Sequence, residues 1–278
     1  MPIGNRPLVS VITPTFNRSA FLAETIDSVL EQDYPNLEYI VLDDGSTDGT
    51  SELLEQYAGR LRWTTHANIG ETRTVNKGLT MARGEFVTIV NSDDLLLPGM
   101  VGTCVDFLTA HPDVLMAYPD WLRIDEWSRV IAHNPALDCC YEEMVRIWGC
   151  IPGPGAMLRR RALELEPGRN PTYRFVGDFE YWLRLGLHGS MKRIPLALAT
   201  HRSHNDSAQV SQTAAVAQEI VALALDYFEN WELPSRIRDL RAESLEWAYW
   251  RSAEMCRHDP SKNKHFGRQA AELNRQRR

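Results

Sequence analysis

The amino-acid sequence predicts an α/β fold, in which helices flank a mostly parallel central sheet and a helical extension follows at the C-terminus. Two observations support this fold class. Up to about residue 98, short β-branched runs alternate with stretches whose apolar residues recur at helical spacing. From Thr213 onward the pattern is helical, with interruptions at Pro234 and Pro260. Strands that alternate with helices of this length form right-handed βαβ units, so we expect neighbouring strands to be parallel.

The first 98 residues predict four strands and three helices. The strands are expected over residues 8–13, 37–42, 61–64 and 86–90. The helices are expected over residues 19–32, 48–57 and 71–81. Ser19 and Asp48 are typical N-cap residues, because their side-chain oxygens accept hydrogen bonds from unpaired backbone N–H groups. We expect Arg83 and Gly84 to end the third helix in the usual C-terminal manner.

The pattern changes after residue 98. Extended segments are expected over residues 114–118, 121–124, 130–133 and 194–200. Helices are expected over residues 100–111 and 179–187, and a strand–helix unit over residues 156–165. From residue 257 the chain is polar and basic, and we expect part of this tail to be disordered.

Composition narrows the class of protein. The formal net charge of -7 over 278 residues argues against a dedicated nucleic-acid binder, whose surface is usually basic. The five cysteines form no C-x-x-C pair, which argues against a zinc knuckle and favours a reducing compartment. The sequence shows no signal-peptide pattern and no apolar run of about 20 residues. We therefore expect a soluble, cytoplasmic protein.

Polar side chains follow three of the predicted strands directly, at residues 14–17, at Asp43 and Asp44, and at Asp93 and Asp94. The carboxyl ends of parallel strands form the ligand-binding edge of an open α/β sheet. The second acidic pair suits Mg²⁺ or Mn²⁺, which prefer oxygen ligands; a pair that only caps a turn is the alternative. The first pair is either a turn and helix cap or a contact to hydrogen-bond donors of a base or ribose.

Six sequence blocks extend this interpretation. They are VSVITPTFNR from Val9, VLDDGSTDGT from Val41, NIGETRTVNKG from Asn68, ARGEFVTIVNSDD from Ala82, GDFEYWLRL from Gly177 and HRSHNDS from His201. In this order they resemble the family-2 glycosyltransferases of the GT-A fold, over about residues 9–207. The resemblance implies a Rossmann-like sheet in a GT-A domain over residues 1–212, with a nucleotide-binding half over about 1–98 and an acceptor half over 99–212. Residues 213–278 would form the helical extension.

The resemblance also implies a nucleotide pocket and a metal site. The residues that match the nucleotide pocket are Pro14, Thr15, Phe16, Asp43, Asp44, Arg73, Asn76 and Asp93. Phe16 would offer an aromatic surface beside the base, and Asp93 would approach the ribose. Asp94 would bind the divalent metal, Mn²⁺ or Mg²⁺, with His204 as a further contact to the metal or the diphosphate. Asn91 stands where the family more commonly has a carboxylate.

Asp178 matches the catalytic base of the family. Gly177 stands where the family usually has a glutamate, and Glu180 is the alternative base. Near a helix N-terminus the dipole favours an ionised carboxylate, which a general base requires; an aspartate that only caps the helix is the alternative. Gly155 and Arg202, together with Glu180, match positions that contact the donor or the acceptor.

The implied activity is an inverting sugar transfer in glycan or surface-polysaccharide synthesis. An acceptor hydroxyl would attack the anomeric carbon of a nucleoside-diphosphate sugar, most commonly a UDP-sugar, in one displacement. The expected partners are this donor and a glycan, lipid-linked or small-molecule acceptor, with no nucleic acid. The C-terminal helices are candidates for a homodimer contact or a peripheral contact at the inner membrane face.

Two other functions stay open. A catalytically silent protein that binds nucleotide-sugars is favoured by Gly177 and Asn91, where carboxylates of the family pattern are missing. A sugar nucleotidyltransferase would need a Gly-rich basic loop after the first strand, and this chain has Pro-Thr-Phe-Asn-Arg there. A dinucleotide dehydrogenase is excluded because the G-x-G-x-x-G loop is missing.

Overall fold

Eight strands form one sheet in the part of the chain that the computed structural model describes, residues 6–138, 141–204 and 212–277. The strands are β1 (Val9–Thr15), β2 (Leu37–Asp43), β3 (Arg62–Thr65), β4 (Phe86–Ile89), β5 (Val114–Ile124), β6 (Val130–Asn134), β7 (Met157–Arg159) and β8 (Ser190–Arg202). Parallel pairing joins β3, β2, β1 and β4 in that spatial order. β7 is antiparallel to β4 and β5, β6 is antiparallel to β5, and β8 is parallel to β5. The predicted mostly parallel sheet is confirmed.

Helices connect the strands and follow them. Within the described ranges they are α1 (Ser19–Leu30), α2 (Thr50–Glu55), α3 (Glu71–Met81), α4 (Met100–Ala110), α5 (Tyr141–Arg146), α6 (Arg160–Leu165), α7 (Gly177–His188), α8 (Thr213–Asn230), α9 (Ser235–Arg238), α10 (Arg241–Met255) and α11 (Pro260–Arg277). The predicted helical C-terminal region is therefore also confirmed.

The chain divides into two compact units. Unit 1 comprises Met1–Asp138, Pro152–Pro171 and Arg184–Ser203, and it contains all eight strands. Unit 2 comprises Cys139–Ile151, Thr172–Leu183 and His204–Arg278, and it contains α5 and α8 to α11. The predicted domain boundary at residue 212 stays a prediction.

The core of unit 1 is built around β1. All seven of its residues are buried, as expected of a strand that is covered on both faces. Val11 belongs to the same apolar cluster as Leu22 and Ile26 of α1, whose four-residue spacing places them on one helix face. α3 packs so closely that a Cβ at Gly78 would lie 2.5 Å from Cγ2 of Ile12. Each fully buried aliphatic side chain contributes about 1.5–3 kcal/mol.

The core of unit 2 contains an aromatic cluster and a helical cluster. The ring of Trp148 is fully buried and lies 5.2 Å from the ring of Phe179 and 5.4 Å from that of Tyr227, centroid to centroid. The helical cluster consists of Ala217, Val221, Ala253, Cys256 and Phe266. Four of these residues lie in α8, α10 and α11, and Cys256 directly follows α10, so the C-terminal helices pack on one another.

The prediction that Arg83 and Gly84 end α3 is wrong. The helix ends at Met81, and the backbone N–H groups of Arg83 and Gly84 donate to the hydroxyl oxygen of Ser10 in β1, at 3.2 and 2.8 Å. A Cβ at Gly84 would lie 2.5 Å from the backbone nitrogen of Ser10. Glycine is therefore needed for close approach to β1, and not for a helix terminus.

The predictions that Ser19 and Asp48 are N-cap residues are also wrong. Ser19 is the first residue of α1 rather than its cap, and α2 begins at Thr50 after Gly49. The Asp48 carboxylate accepts hydrogen bonds from the backbone N–H of Thr50 at 3.1 Å and of Ser19 at 3.0 Å. Asp48 therefore joins the starts of both helices.

The predicted disorder of the C-terminal tail is wrong for residues 260–277. α11 spans them because Phe266 and Ala270, one turn apart, are both buried. Polar composition alone gave no sign of this buried face. Arg278 lies outside the described residues.

Candidate active site

The loops that follow β1, β2 and β4 meet at one edge of the sheet in unit 1. Thr15 pairs with Asp43 across the parallel strands, and the backbone N–H of Asp44 donates to the carbonyl of Thr15 at 2.8 Å. Just beyond β4, the backbone N–H of Val90 donates to the carbonyl of Ile12 at 2.9 Å. The polar residues that follow these strands therefore lie along the carboxyl edge, where open α/β sheets bind ligands.

Asp43 is fully buried and organises the loop after β2. Its carboxylate accepts hydrogen bonds from the backbone N–H of Ser46 at 3.1 Å and from the hydroxyls of Ser51 and Thr65 at 3.2 and 3.0 Å. These donors offset the cost of burying a charge. Asp43 thus fixes the loop against β3, whatever contact it makes with a ligand.

Asp44 fixes the segment that leads into α3. Its two carboxylate oxygens accept hydrogen bonds from the backbone N–H groups of Ile69 at 2.7 Å and Gly70 at 2.9 Å. Nδ1 of His66 lies 3.4 Å from the same carboxylate. Each carboxylate oxygen has a second lone pair, so Asp44 keeps acceptor capacity for a ligand.

The segment after β1 combines a buried hydroxyl with an exposed ring. Oγ1 of Thr15 is buried and has no hydrogen-bond partner among the described residues. Phe16, in contrast, is 43% exposed, and Pro14 is buried within β1. Asn17 has a φ of 52° and accepts a hydrogen bond from the backbone N–H of Thr47 at 2.8 Å, which joins this loop to the loop after β2. An aromatic face and an unpaired polar atom thus stand together at the sheet edge.

Asp93 and Asp94 follow β4 and differ in exposure. Asp94 is buried, and its carboxylate accepts hydrogen bonds from the backbone N–H of Arg202 at 2.8 Å and from the side-chain amide of Asn91 at 3.1 Å. Burial, and then the negative charge of Asp93, raise the pKa of Asp94 well above its usual value. Asp93 is partly exposed, with one carboxylate oxygen 3.6 Å from Nε of Arg18.

Arg202 holds this acidic loop in place. Its side chain is fully buried, and Nε donates to the backbone carbonyl of Asp93 at 2.7 Å. Its other donors contact the carbonyls of Asp125 and Glu126, the hydroxyl of Ser128 and the carboxylate of Glu24. All three guanidinium nitrogens thus bond to the protein. This arrangement favours a positioning role over the predicted donor or acceptor contact.

The two predicted contacts on α3 differ in their surroundings. Arg73 is exposed. Asn76 bonds twice to one residue within unit 1: Nδ2 donates to the carbonyl of Arg169 at 2.7 Å, and Oδ1 accepts from the backbone N–H of Arg169 at 2.8 Å. Asn76 therefore fixes a backbone segment that is distant in the sequence, while its amide keeps a second N–H and a second lone pair.

Gly155 occupies a position that excludes larger residues. Its φ is +79°, and a Cβ there would lie 2.9 Å from both the Cβ of Ala199 and the Cγ of Pro119. Backbone strain and steric contact therefore both require glycine in this loop of unit 1.

The remaining predicted residues lie in unit 2. Asp178 is half-buried in the first turn of α7, and Sγ of Cys150 lies 4.0 Å from Oδ2 of its carboxylate. Glu180 is buried, with its backbone N–H donating to the carbonyl of Val176 at 2.9 Å. His204 is buried two residues after Arg202.

Comparison with known proteins gives the family. A family model described as Glycosyl transferase family 2 matches residues 10–164, more than half of the chain. This chain belongs to glycosyltransferase family 2. The predicted family and enzyme class are thereby confirmed.

Two curated relatives of this family-2 glycosyltransferase match it over part of their own length. A chondroitin synthase from Escherichia coli is 27% identical over 209 residues, covering 74% of this chain and 30% of that protein. A GalNAc(5)-diNAcBac-PP-undecaprenol beta-1,3-glucosyltransferase from Campylobacter jejuni is 41% identical over 102 residues, covering 35% of this chain and 33% of that protein. The matched part thus spans about a third of both relatives.

A solved structure confirms the GT-A fold of this glycosyltransferase. The mannosyltransferase PcManGT from Pyrobaculum calidifontis, in complex with GDP-Man and Mn²⁺, gives a TM-score of 0.67. The alignment covers 98% of this chain and 75% of that one at 19% identity. At this identity the likeness concerns the fold alone.

The acidic loop of the glycosyltransferase fits a hard divalent cation. Asp93 and Asp94 place two neighbouring carboxylates at the sheet edge. Burial, and then the negative charge of Asp93, raise the pKa of Asp94, and a bound cation would compensate the second of these effects. Among the described residues, no group of three or more His, Cys, Asp or Glu side chains is arranged to hold a metal. None of the helices in the described ranges is long and apolar enough to cross a membrane.

Sequence reasoning overlooked Arg18, a residue between β1 and α1 that lies beside the glycosyltransferase's acidic loop. Arg18 lies 3.6 Å from the Asp93 carboxylate, and its Nη1 donates to the carbonyl of Asn17 at 3.2 Å. The signal was available, because Arg18 closes the first of the six blocks and is a cation just after a strand end.

Proposed function

We propose that this family-2 glycosyltransferase moves a sugar from a UDP-sugar to an acceptor hydroxyl with inversion, aided by a divalent cation. The observation that carries the proposal is the meeting of three polar loops at one sheet edge. Those loops supply the aromatic face of Phe16, the carboxylates of Asp43 and Asp44, and the acidic pair after β4. PcManGT, which shares the fold, was solved with GDP-Man and Mn²⁺, so a nucleotide-sugar with a cation is the ligand class we infer.

The donor would lie against the loops of unit 1. Phe16 would stack on the base, and Thr15 would offer its unpaired hydroxyl. Asp44 has acceptor capacity left for the base or the ribose, and Asp93 is exposed enough to reach the ribose. Arg73 is exposed and stays a candidate contact to the donor.

Asp94 would hold the cation, with His204 as a further contact. When bound, a divalent cation neutralises charge on a departing diphosphate. Arg202 and Asn91 hydrogen-bond to the Asp94 carboxylate and orient it for this task.

Asp178 would act as the general base. It lies in the first turn of α7, where the residue is half-buried and so stays partly accessible. An ionised carboxylate takes the proton of the acceptor hydroxyl as that oxygen attacks the anomeric carbon, and the nucleoside diphosphate departs on the opposite side. A single displacement of this kind inverts the configuration.

The acceptor class is inferred from relatives. The Campylobacter relative is named for a lipid-linked glycan, and the Escherichia coli relative is a chondroitin synthase. We infer a growing glycan, lipid-linked or free, as the acceptor, and a contribution to polysaccharide synthesis. Peripheral membrane contact and a homodimer through α8 to α11 stay predictions.

The test is an Asp178→Asn variant assayed for nucleoside-diphosphate release. UDP-glucose, UDP-GlcNAc and GDP-mannose are supplied with Mn²⁺ and an oligosaccharide acceptor panel, and Glu180→Gln serves as the neighbouring control. We expect turnover to fall by about 10²–10⁴, since that is the usual contribution of a general base, while calorimetric affinity for UDP with Mn²⁺ stays at the parental value.

Each alternative outcome has a distinct meaning. Transfer at the parental rate by Asp178→Asn contradicts the base assignment. Pyrophosphate release in place of nucleoside diphosphate indicates a nucleotidyltransferase, and donor binding without turnover in the parental protein indicates a silent binding protein. Tighter binding of GDP than of UDP contradicts the proposal that the donor carries uridine.

A further inference from the structure

The segment just before Asp178 is attached to α8 by one carboxylate. Glu219 accepts hydrogen bonds from three consecutive backbone N–H groups, those of Arg174 at 2.7 Å, Phe175 at 2.5 Å and Val176 at 2.9 Å. Consecutive N–H groups that converge on one anion form a nest, and bonds of this type are charge-assisted and strong. Glu219 therefore fixes the backbone that leads into α7.

A second carboxylate on α8 holds the same segment two turns further along. Asp226 accepts hydrogen bonds from the hydroxyl of Tyr173 at 2.9 Å and from Nε1 of Trp231 at 3.0 Å. Burial opposes ionisation of Asp226, but the bonds from Asn230, Trp231 and Tyr173 hold its pKa below the usual value. The carboxylate is thus kept ionised for its bond to Tyr173.

A third connection from α8 reaches the residue after Asp178. Nε1 of the buried Trp148 donates to the carbonyl of Ile220 at 3.2 Å, and its ring meets Phe179 edge-on. Trp148 has a φ of 46°, an unfavourable backbone conformation for a bulky residue. Residues on both sides of Asp178 are therefore attached to consecutive positions of α8, Glu219 and Ile220.

We propose that α8 is the positioning element of the catalytic base, with Glu219 as its principal positioning residue. The inference rests on the proposed role of Asp178. Nothing in the mechanism requires Glu219 to touch a substrate; it acts by fixing the start of α7, and with it the direction of the Asp178 carboxylate. A displacement of about 1 Å in a reacting group can cost 10²-fold in rate, so three bonds to this segment matter for turnover. The C-terminal helix α8 would thereby contribute to turnover without contacting a substrate.

The test compares Glu219→Ala and Glu219→Gln with the parental full-length protein. The donor is whichever of UDP-glucose, UDP-GlcNAc and GDP-mannose the parental protein turns over fastest. We expect Glu219→Ala to lower kcat about tenfold to a hundredfold. The KM for the donor and the calorimetric affinity for UDP with Mn²⁺ should stay parental, because the predicted nucleotide residues all belong to unit 1. Glu219→Gln keeps one acceptor oxygen and should restore part of the rate.

Two controls separate positioning from general damage. Glu229→Ala removes an exposed carboxylate from the same helix, one that contacts Arg241 rather than the segment before Asp178, and it should keep the parental kcat. If Glu219→Ala does not fold, Glu219→Gln and Tyr173→Phe carry the test, each with a lowered kcat at constant KM.

The outcomes distinguish this inference from the proposed function. A parental kcat in Glu219→Ala, alongside an inactive Asp178→Asn, overturns the inference and leaves the function intact. A loss in Glu219→Ala that raises the donor KM as much as it lowers kcat also overturns it. A parental rate in Asp178→Asn contradicts the base assignment itself, whatever Glu219 does.

Discussion

The ionised carboxylate of Asp94, which the predicted binding of a cation requires, lowers the stability of the folded protein. It is buried beside Asp93, and both burial and that neighbouring charge raise its pKa. A carboxyl whose pKa is higher in the folded than in the unfolded chain binds its proton more tightly when folded. Its contribution to the free energy of unfolding is therefore fully present below the ordinary aspartate pKa and is lost as the pH rises through the raised value. At neutral pH the ionised Asp94 carboxylate, when no cation is present in solution, lowers the free energy of unfolding.

Asp94→Asn should therefore raise the melting temperature at about pH 8 without divalent cations, and the gain should shrink as the pH falls toward about 4. Each kcal/mol of stability corresponds to about 2–4 °C in a chain of this size. Mn²⁺ should raise the melting temperature of the parental protein but not that of the variant, because bound ligand stabilises only the form that binds it. Thermal scans across this pH range, with Mn²⁺ or a chelator, measure both effects.

Asp106→Asn is the matched control for this experiment, since Asp106 is an exposed partner of Arg6. It should show neither the pH-dependent gain nor a changed response to Mn²⁺. Equal stabilisation of Asp94→Asn at every pH, or an equal Mn²⁺ response in both proteins, would contradict the argument.

The sequence located individual residues better than it described their bonds. The positions of Asp43, Asp44 and Asp94 at the carboxyl edge of the sheet could be predicted, because acidic residues that follow strands are visible in a linear pattern. The engagement of Asn76 was not visible, because Arg169, its partner, lies 93 residues away in the chain. Side-chain partners of this kind depend on tertiary packing, which a strand or helix pattern does not contain.

At the scale of elements, Arg202 at the end of β8 joins three parts of unit 1. It bonds to the acidic loop after β4, to the turn between β5 and β6, and to Glu24 of α1. Its guanidinium also lies over the ring of Phe21, 4.9 Å from the centroid. A planar group with a fork of donors suits this task, and an ammonium group does not.

Arg202→Lys should destabilise the protein by about 2 kcal/mol, because buried acceptors lose their donors, each at about 1–3 kcal/mol. It should also weaken UDP binding in the presence of Mn²⁺, since the acidic loop loses its support. Urea denaturation and calorimetry measure the two effects. Arg129 is an exposed cation in the turn between β5 and β6, and Arg129→Lys should change neither the stability nor the UDP affinity. Full stability in Arg202→Lys would remove the positioning role.

Element prediction succeeded where apolar periodicity was strong. The expected bounds of α3 agree with the observed Glu71–Met81, because its buried residues recur at helical spacing. It failed where polar residues dominate the pattern. α11 was expected to be partly disordered, yet its Phe266 is buried in the helical cluster of unit 2 and Ala270, one turn further on, is buried as well.

At the scale of the whole molecule, each unit has its own core. The sequence pattern is local, so it could not show that Cys139–Ile151 and Thr172–Leu183 join His204–Arg278 in unit 2. The predicted nucleotide residues belong to unit 1, whereas Asp178, Glu219 and the C-terminal helices belong to unit 2. Donor binding and unit 2 stability are therefore expected to respond to different substitutions.

Phe266→Ala should lower the stability of unit 2 without changing donor binding. Phe266 is 5% exposed and packs in the helical cluster of unit 2, so removal of its ring should cost about 3–5 kcal/mol. The melting temperature should fall, while the calorimetric affinity for UDP with Mn²⁺, measured well below the transition, should stay at the parental value. Trp250→Ala removes an exposed ring, 53% accessible, from α10 and should leave both quantities unchanged. A marked loss of UDP affinity in Phe266→Ala would mean that the integrity of the C-terminal helices governs donor binding, and the expectation that the loops of unit 1 set the affinity for UDP would fail.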